Sequence, residues 1–236
     1  MKNKRHIRIL FSGLGLIAAL ASGQQFAIAH AAEVRLRIVS SQPGKHHSAP
    51  AVAWLEPLTG TPALPFVPQG HYTLLQKNRT FIPHLQVIPA GSVVQFPNAD
   101  PFFHNVFSLF EGKRFDLGLY EAGSSKGVTF SREGVSYIFC NIHPEMSAVI
   151  VSLLTPLYAI ADSNDSILLS KIPPGDYKIQ LWVEGVPQSS LVGLSRRIHV
   201  DEGTLDLGQI SVPIGTSPTH ENKFGKPYEQ DSKSPY

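Results

Sequence analysis

"FCNIHPEM" at 139–146 sets a cysteine, a histidine and a methionine three residues apart: Cys140, His143 and Met146. Cys140 is the only cysteine in the chain. It closes the run "GVSYIFC" (134–140), which has strand character, and a loop follows it. A strand end fixes the thiol, while the loop can fold an imidazole and a thioether around the same point. Thiolate with imidazole suits a soft or borderline metal. Taken singly, each residue has a plainer role, since a buried cysteine packs as a small hydrophobe and methionine fills gaps. The combination at this spacing favours a metal site. Zinc would call for a fourth strong ligand, usually a second cysteine, and the chain has none. One cysteine, two histidines and a weak axial methionine make the type 1 copper arrangement. That set needs one more histidine, delivered from another strand edge.

Working back from Cys140, "FFHNVF" (102–107) offers His104. It follows "FPNAD" (96–100), a strand end and turn, and aromatic residues flank it. His46, His47, His71, His84 and His199 compete, but none follows a strand–turn unit of this kind. The paired His46 and His47 read as polar loop residues. "DSND" (162–165) lacks the glycine and terminal glutamate of an EF-hand loop and reads as a turn.

Around these residues the pattern is that of strands. "VRLRIV" (34–39), "HLQVIP" (84–89), "SVVQF" (92–96), "YKIQLWV" (177–183) and "RRIHV" (196–200) alternate, and Gly, Pro, Asn and Asp break the runs between them. Many short strands with turn signals predict an all-β chain of sandwich or barrel type. "LTGTPALPFVPQG" (58–70) reads as a linker, and the polar stretch 214–236 as a disordered tail.

Residues 1–31 begin with Lys2, Lys4, Arg5 and Arg8, continue as "ILFSGLGLIAALASG" and end with Ala29 and Ala31 flanking one position. That order predicts a cleavable export signal and a periplasmic protein. The apolar core is shorter than the about 20 residues that cross a bilayer, so no membrane span is expected in the mature chain. The whole chain has 20 basic and 18 acidic side chains; without residues 1–31, which hold four basic and no acidic ones, 16 face 18. No basic surface for nucleic acid is implied. A lone cysteine cannot form an internal disulfide, so in an oxidising compartment Cys140 is either buried or a ligand.

Residues 71–153 resemble a cupredoxin, the blue copper fold of plastocyanin and amicyanin. The resemblance rests on F-x-P at 81–83, P-x-G-x-x-V-x-F-x-N at 89–98, "HNV" at 104–106 and G-x-x-x-x-x-C-x-x-H from Gly134 to His143. It implies a Greek-key β-sandwich and copper held by His104, Cys140, His143 and Met146. It also implies that the Asn105 backbone N–H points at the sulfur, with the Asn105 side chain tying the His104 turn to the Cys140 strand. Ile142 stands where those proteins place proline, so its N–H is expected to make a second contact with the sulfur. Ser136 and Ile138 depart from the aromatic residues common on that strand.

"LYAIADSNDSILLSKIPPGDYKIQLWVEG" (157–185) and "VRLRIVSSQPGKHHSAPAVAWLEP" (34–57) resemble two halves of a carboxypeptidase-regulatory-like or transthyretin-like sandwich. Either residues 33–57 and 157–213 form one discontinuous sandwich with the copper unit between them, or 33–57 caps the copper unit and two units stand in tandem. The expected function is electron transfer, not catalysis. His143 would be the surface port, and Phe102, Phe103 and Pro144 an apolar docking patch for a transient redox partner, a cytochrome or a dehydrogenase. Copper storage or delivery, and a non-redox interaction module of the cell envelope, are the alternatives. The absence of any H-x-H pair speaks against an oxidase or nitrite reductase.

Overall fold

The structure, a computed structural model, describes residues 32–44, 49–109, 112–215 and 221–228. The expected export segment at 1–31, and His46 with His47, lie outside these residues. The fold is all-β. Its strands are β1 (Ala32–Ser40), β2 (Ala51–Pro57), β3 (Tyr72–Thr73), β4 (Leu75–Lys77), β5 (Thr80–Ile82) and β6 (Leu85–Pro89). There follow β7 (Ser92–Pro97), β8 (His104–Ser108), β9 (Phe115–Tyr120), β10 (Ser125–Phe130), β11 (Gly134–Cys140) and β12 (Ser147–Leu153). The last five are β13 (Tyr158–Ile160), β14 (Ser166–Ile172), β15 (Gly175–Val183), β16 (Arg196–Val200) and β17 (Thr204–Val212). Among the described residues a single short helix spans Gln188–Val192.

Two sandwiches result. One packs the sheet β6-β12-β11-β8-β9 against β10-β7-β3, with the β4–β5 hairpin at one end. The other packs β14-β1-β17 against β13-β2-β15-β16. The first and last strands of the chain therefore share one sandwich: Trp54 of β2 pairs with Gln180 of β15, and β1 runs parallel to β17.

Period-two alternation explains how the two units meet. Along β12, Ala148 and Ile150 enter the core of the first sandwich, while Val149, Val151 and Leu153 face outward. On β15, Tyr177, Ile179, Leu181 and Val183 fill the second core, and Trp182 faces away from it. The outward sets, joined by Val52, Val87, Trp54, Val135 and Tyr137, form a third apolar cluster between the sandwiches. Strands apolar on both faces are thereby buried on both faces.

A polar contact crosses the same seam. The His84 ring has Nε2 2.8 Å from Glu184 Oε1 and Nδ1 3.1 Å from the Ser147 carbonyl. Both neighbours are acceptors, so only the imidazolium donates to both, and the Glu184 hydrogen bond holds the His84 pKa above its ordinary value despite partial burial. A raised folded-state pKa contributes stability that is fully present below the ordinary value near about 6.5 and is lost as pH rises through the folded value. The pair is partly exposed, which limits its worth. His84→Ala is expected to cost up to about 1 kcal/mol at pH about 5.5 and almost nothing at pH about 8.5. Urea unfolding at the two pH values checks this, and an equal loss at both would contradict it.

Candidate metal centre

Cys140 ends β11 and His104 begins β8; the two strands are neighbours, with Cys140 opposite Val106. His143 comes from the loop after β11, which is closed by Met146 N–H donating to the His143 carbonyl at 3.0 Å and Cys140 N–H to the Met146 carbonyl at 3.3 Å. The sheet and this tight loop bring three ligand atoms together. Cys140 Sγ lies 3.6 Å from Nδ1 of His104 and 3.6 Å from Nδ1 of His143, and the two nitrogens are 3.1 Å apart. The centre of that triangle is about 2.0 Å from each atom, a first-row metal–imidazole length for the two nitrogens and somewhat short of the about 2.3 Å of a metal–thiolate bond. All three residues are buried, as is Met146. Among the described residues this is the one cluster of three or more His, Cys, Asp or Glu with ligand-like spacing.

The electrostatics match a metal site. Burial pushes the His104 pKa down, only partly opposed by Asp100, and burial followed by the neighbouring His104 does the same to His143. Both imidazoles are therefore neutral and offer lone pairs. His104 Nε2 lies 2.9 Å from Asp100 Oδ2, an acceptor, so Nε2 carries the proton and Nδ1 is left to face the centre. Burial raises the Cys140 pKa, opposed by the backbone N–H groups of Asn105, Ile142 and His143. Those donors favour a charged sulfur, and a bound metal would complete the compensation.

Asp100 escapes sequence reading. It is 4% exposed, and it accepts the N–H groups of Asn78 at 2.6 Å and Arg79 at 3.0 Å. Burial disfavours its charge, but the Arg79 N–H, the His104 ring and the Asn78 N–H together hold its pKa below the ordinary value. Asn78 and Arg79 form the two-residue turn of the β4–β5 hairpin, both with positive φ, and such turns cost less when their amides are paired. The same turn sets the Arg79 guanidinium 5.3 Å from the centroid of Phe102. The Phe102 ring in turn lies 5.3 Å from His104 and 5.4 Å from His143. The only local sign of Asp100 is its place four residues before His104.

Two expected placements differ. His143, expected at the surface, is 5% exposed because Phe102 covers it. The exposed apolar groups nearby include Phe103 at 53% and Ile142 at 41%, with Pro144 and the charged Glu145 next in the chain after His143 and also exposed. The Asn105 side chain bonds instead to β9, where its Nδ2 donates to Asp116 Oδ1 at 2.7 Å, and it is the Asn105 carbonyl that accepts from Asn141 N–H at 2.9 Å. His84, paired with Glu184, and His199, paired with Asp176 and Asp201, stand apart from the centre. A cleft of about 1030 Å³ also lies elsewhere, between the sandwiches beside Trp54, Tyr137 and Trp182.

No protein-family model matches the chain, and no curated protein matches it. Among solved structures it is similar to the Cu-containing nitrite reductase NirK from Thermus scotoductus, at 25% identity over 42% of this chain with a TM-score of 0.34. The chain spans 25% of that protein's length. It is similar to a purple cupredoxin from Nitrosopumilus maritimus, at 23% identity over 36% of this chain and 100% of the other, with a TM-score of 0.32. The amicyanin from Paracoccus versutus is 22% identical over 37% of this chain and 85% of its own, with a TM-score of 0.33. Among the described residues no helix is long and apolar enough to cross a membrane.

Proposed function

We propose that this chain is an exported, periplasmic electron carrier with one type 1 copper site, held by His104, Cys140 and His143 with Met146 as weak axial ligand. The triangle of Cys140 Sγ and the two Nδ1 atoms carries this reading. A trigonal Cys-His₂ set suits copper in both of its common oxidation states, and bound copper would supply one-electron chemistry. The chain's own residues keep the centre rigid and dry. Asp100 fixes the His104 tautomer, and the N–H groups of Asn105 and Ile142 orient and polarise the sulfur. Burial of the three ligands fits a carrier better than a delivery protein, whose ligands must exchange.

The exposed Phe103, with Phe102 and Pro144, makes an apolar patch over His143, suited to a small transient contact with a cytochrome or dehydrogenase. Residues 33–57 and 157–213 are taken as one carboxypeptidase-regulatory-like or transthyretin-like sandwich, interrupted by a copper unit at 71–153. Pairing of Trp54 with Gln180 supports that division.

The test is titration of the metal-free protein with Cu(II), followed by visible absorption and EPR, then by cycling with a one-electron reductant and oxidant. An intense thiolate-to-copper band that bleaches and returns supports the carrier. A colourless protein would refute the copper site, and nitrite turnover by the loaded protein would make it an enzyme. In the loaded protein, the Asp100 carboxylate places a buried negative charge behind His104 and favours the more positive metal state. Asp100→Asn is expected to raise the reduction potential by on the order of 50–100 mV, the worth of a charge-assisted hydrogen bond in a one-electron couple. An unchanged or lowered potential in redox titration would contradict that role.

A further inference from the structure

Residues 221–228 belong to the polar stretch that reads in the sequence as a disordered tail, yet in the structure they lie across the metal end of the first sandwich. The segment is a closed turn in its own right. Asn222 N–H donates to the Lys226 carbonyl at 2.8 Å, Gly225 N–H to the Asn222 carbonyl at 2.9 Å, and the Asn222 side chain accepts from Phe224 N–H at 2.9 Å. Gly225 takes φ +70°, which the turn requires and glycine allows at least cost.

From this turn, three bonds reach β9, the end of β11 and the loop that follows it. Lys223 N–H donates to Asn141 Oδ1 at 2.9 Å, Lys223 Nζ to Asp116 Oδ2 at 2.8 Å, and the Tyr228 hydroxyl to the Cys140 carbonyl at 2.9 Å. Asp116 is on β9 and Cys140 ends β11; β8, with His104 and Asn105, runs between them. The segment therefore spans three adjacent strands at the level of the sulfur.

We infer that residues 221–228 are a strap of the metal centre in which Lys223 and Tyr228 are positioning residues for Asn105 and Cys140, an inference that rests on the copper reading above. The path from Lys223 is short. Its ammonium holds Asp116, Asp116 Oδ1 accepts from the Asn105 side chain at 2.7 Å, and the Asn105 backbone N–H faces the Cys140 sulfur. Burial disfavours the Asp116 charge; Lys223, then Asn105 and the Gly118 N–H, overcome that and hold its pKa down. Without Lys223 this half-exposed carboxylate would lose its cation and Asn105 its fixed partner. Tyr228 holds the other side, at the peptide carbonyl of the sulfur-bearing residue. Bonds of this kind, one step outside the ligands, commonly set metal retention within a factor of about 10–100.

The experiment uses the full chain and the double variant Lys223→Met/Tyr228→Phe. With copper bound, transfer to an excess of a strong chelator is expected to run about 10–100-fold faster in the double variant, with a shifted thiolate-to-copper band. Lys223→Arg alone, which keeps the cation, is expected to stay within about threefold of the parent. A double variant with the parent's band and release rate would overturn the strap while leaving the copper site standing. A parent chain without the band would instead remove the copper reading. The strap is then judged on the metal-free chain by chymotrypsin cleavage after Phe224. Slow cleavage in the parent and fast cleavage in the double variant supports it, and equal rates overturn it.

Discussion

Cys140→Ser is expected to abolish the thiolate-to-copper absorption and to weaken Cu(II) binding by far more than the about 10–100-fold that an outer partner is worth. The metal-free fold is expected to survive. Cys140 is fully buried, and the N–H groups of Asn105, Ile142 and His143 face its sulfur. Burial keeps the metal-free group a neutral thiol, so a metal must displace that proton and leave a thiolate, which the same three donors then hold. A serine hydroxyl can accept from those donors but ionises far less readily, and it brings no polarisable sulfur. The fold loses little because serine is close in size and finds the donors ready; a change of about 1 kcal/mol or less is expected. Absorption and competitive copper titration of the variant, with urea unfolding of the metal-free form, read the two halves separately. Parent-like copper affinity would place the metal away from the Cys140 triangle.

Trp182→Ala is expected to be the most destabilising single truncation outside the metal centre, costing about 3–5 kcal/mol. Trp182 is 1% exposed and is among the largest fully buried side chains. It leaves the second core and crosses to the first sandwich, where its Nε1 donates to the Tyr137 hydroxyl at 3.1 Å and its ring lies 6.3 Å from that of Tyr137. Val52, Val149, Val151 and Leu153 share the same cluster, so truncation leaves a cavity between two rigid sheets that cannot easily collapse. Trp182→Phe, which keeps a ring but no donor, is expected to lose less, about 1–2 kcal/mol. Calorimetry of Trp182→Ala is expected to resolve two transitions, because the seam is what couples the sandwiches. A loss below about 1 kcal/mol with one unchanged transition would show that the seam contributes little.

Much of the strand content is local and can be read from the chain. "VRLRIV", "HLQVIP", "SVVQF", "YKIQLWV" and "RRIHV" alternate with period two, and the structure has strands at β1, β6, β7, β15 and β16. Asp162 likewise behaves as a turn residue, its carboxylate accepting the N–H groups of Asn164 and Ser166. The three-residue spacing puts His143 on the loop that leaves the strand end at Cys140, and the strand–turn pattern before His104 singles it out among the histidines. The structure brings the ligand atoms of these three within 4.8 Å of one another.

What the sequence by itself determined was the kind of element that the alternating segments form and the scarce chemistry, a single thiol, that those elements present. Periodicity and spacing are properties of neighbours in the chain, and they survive without knowledge of the rest. Tertiary structure decided everything that depends on residues far apart. It paired β1 with β17 in parallel, turned Trp182 outward into a seam, and sank His143 beneath Phe102. It set the Asn78–Arg79 turn on Asp100, so that a carboxylate unremarked in the chain fixes the His104 tautomer. It also carried Lys223 across 107 residues of sequence to Asp116. No local pattern encodes such contacts, because a hydrogen bond of this kind depends on where two sheets and a turn come to rest, and that is fixed only when their apolar faces are buried together.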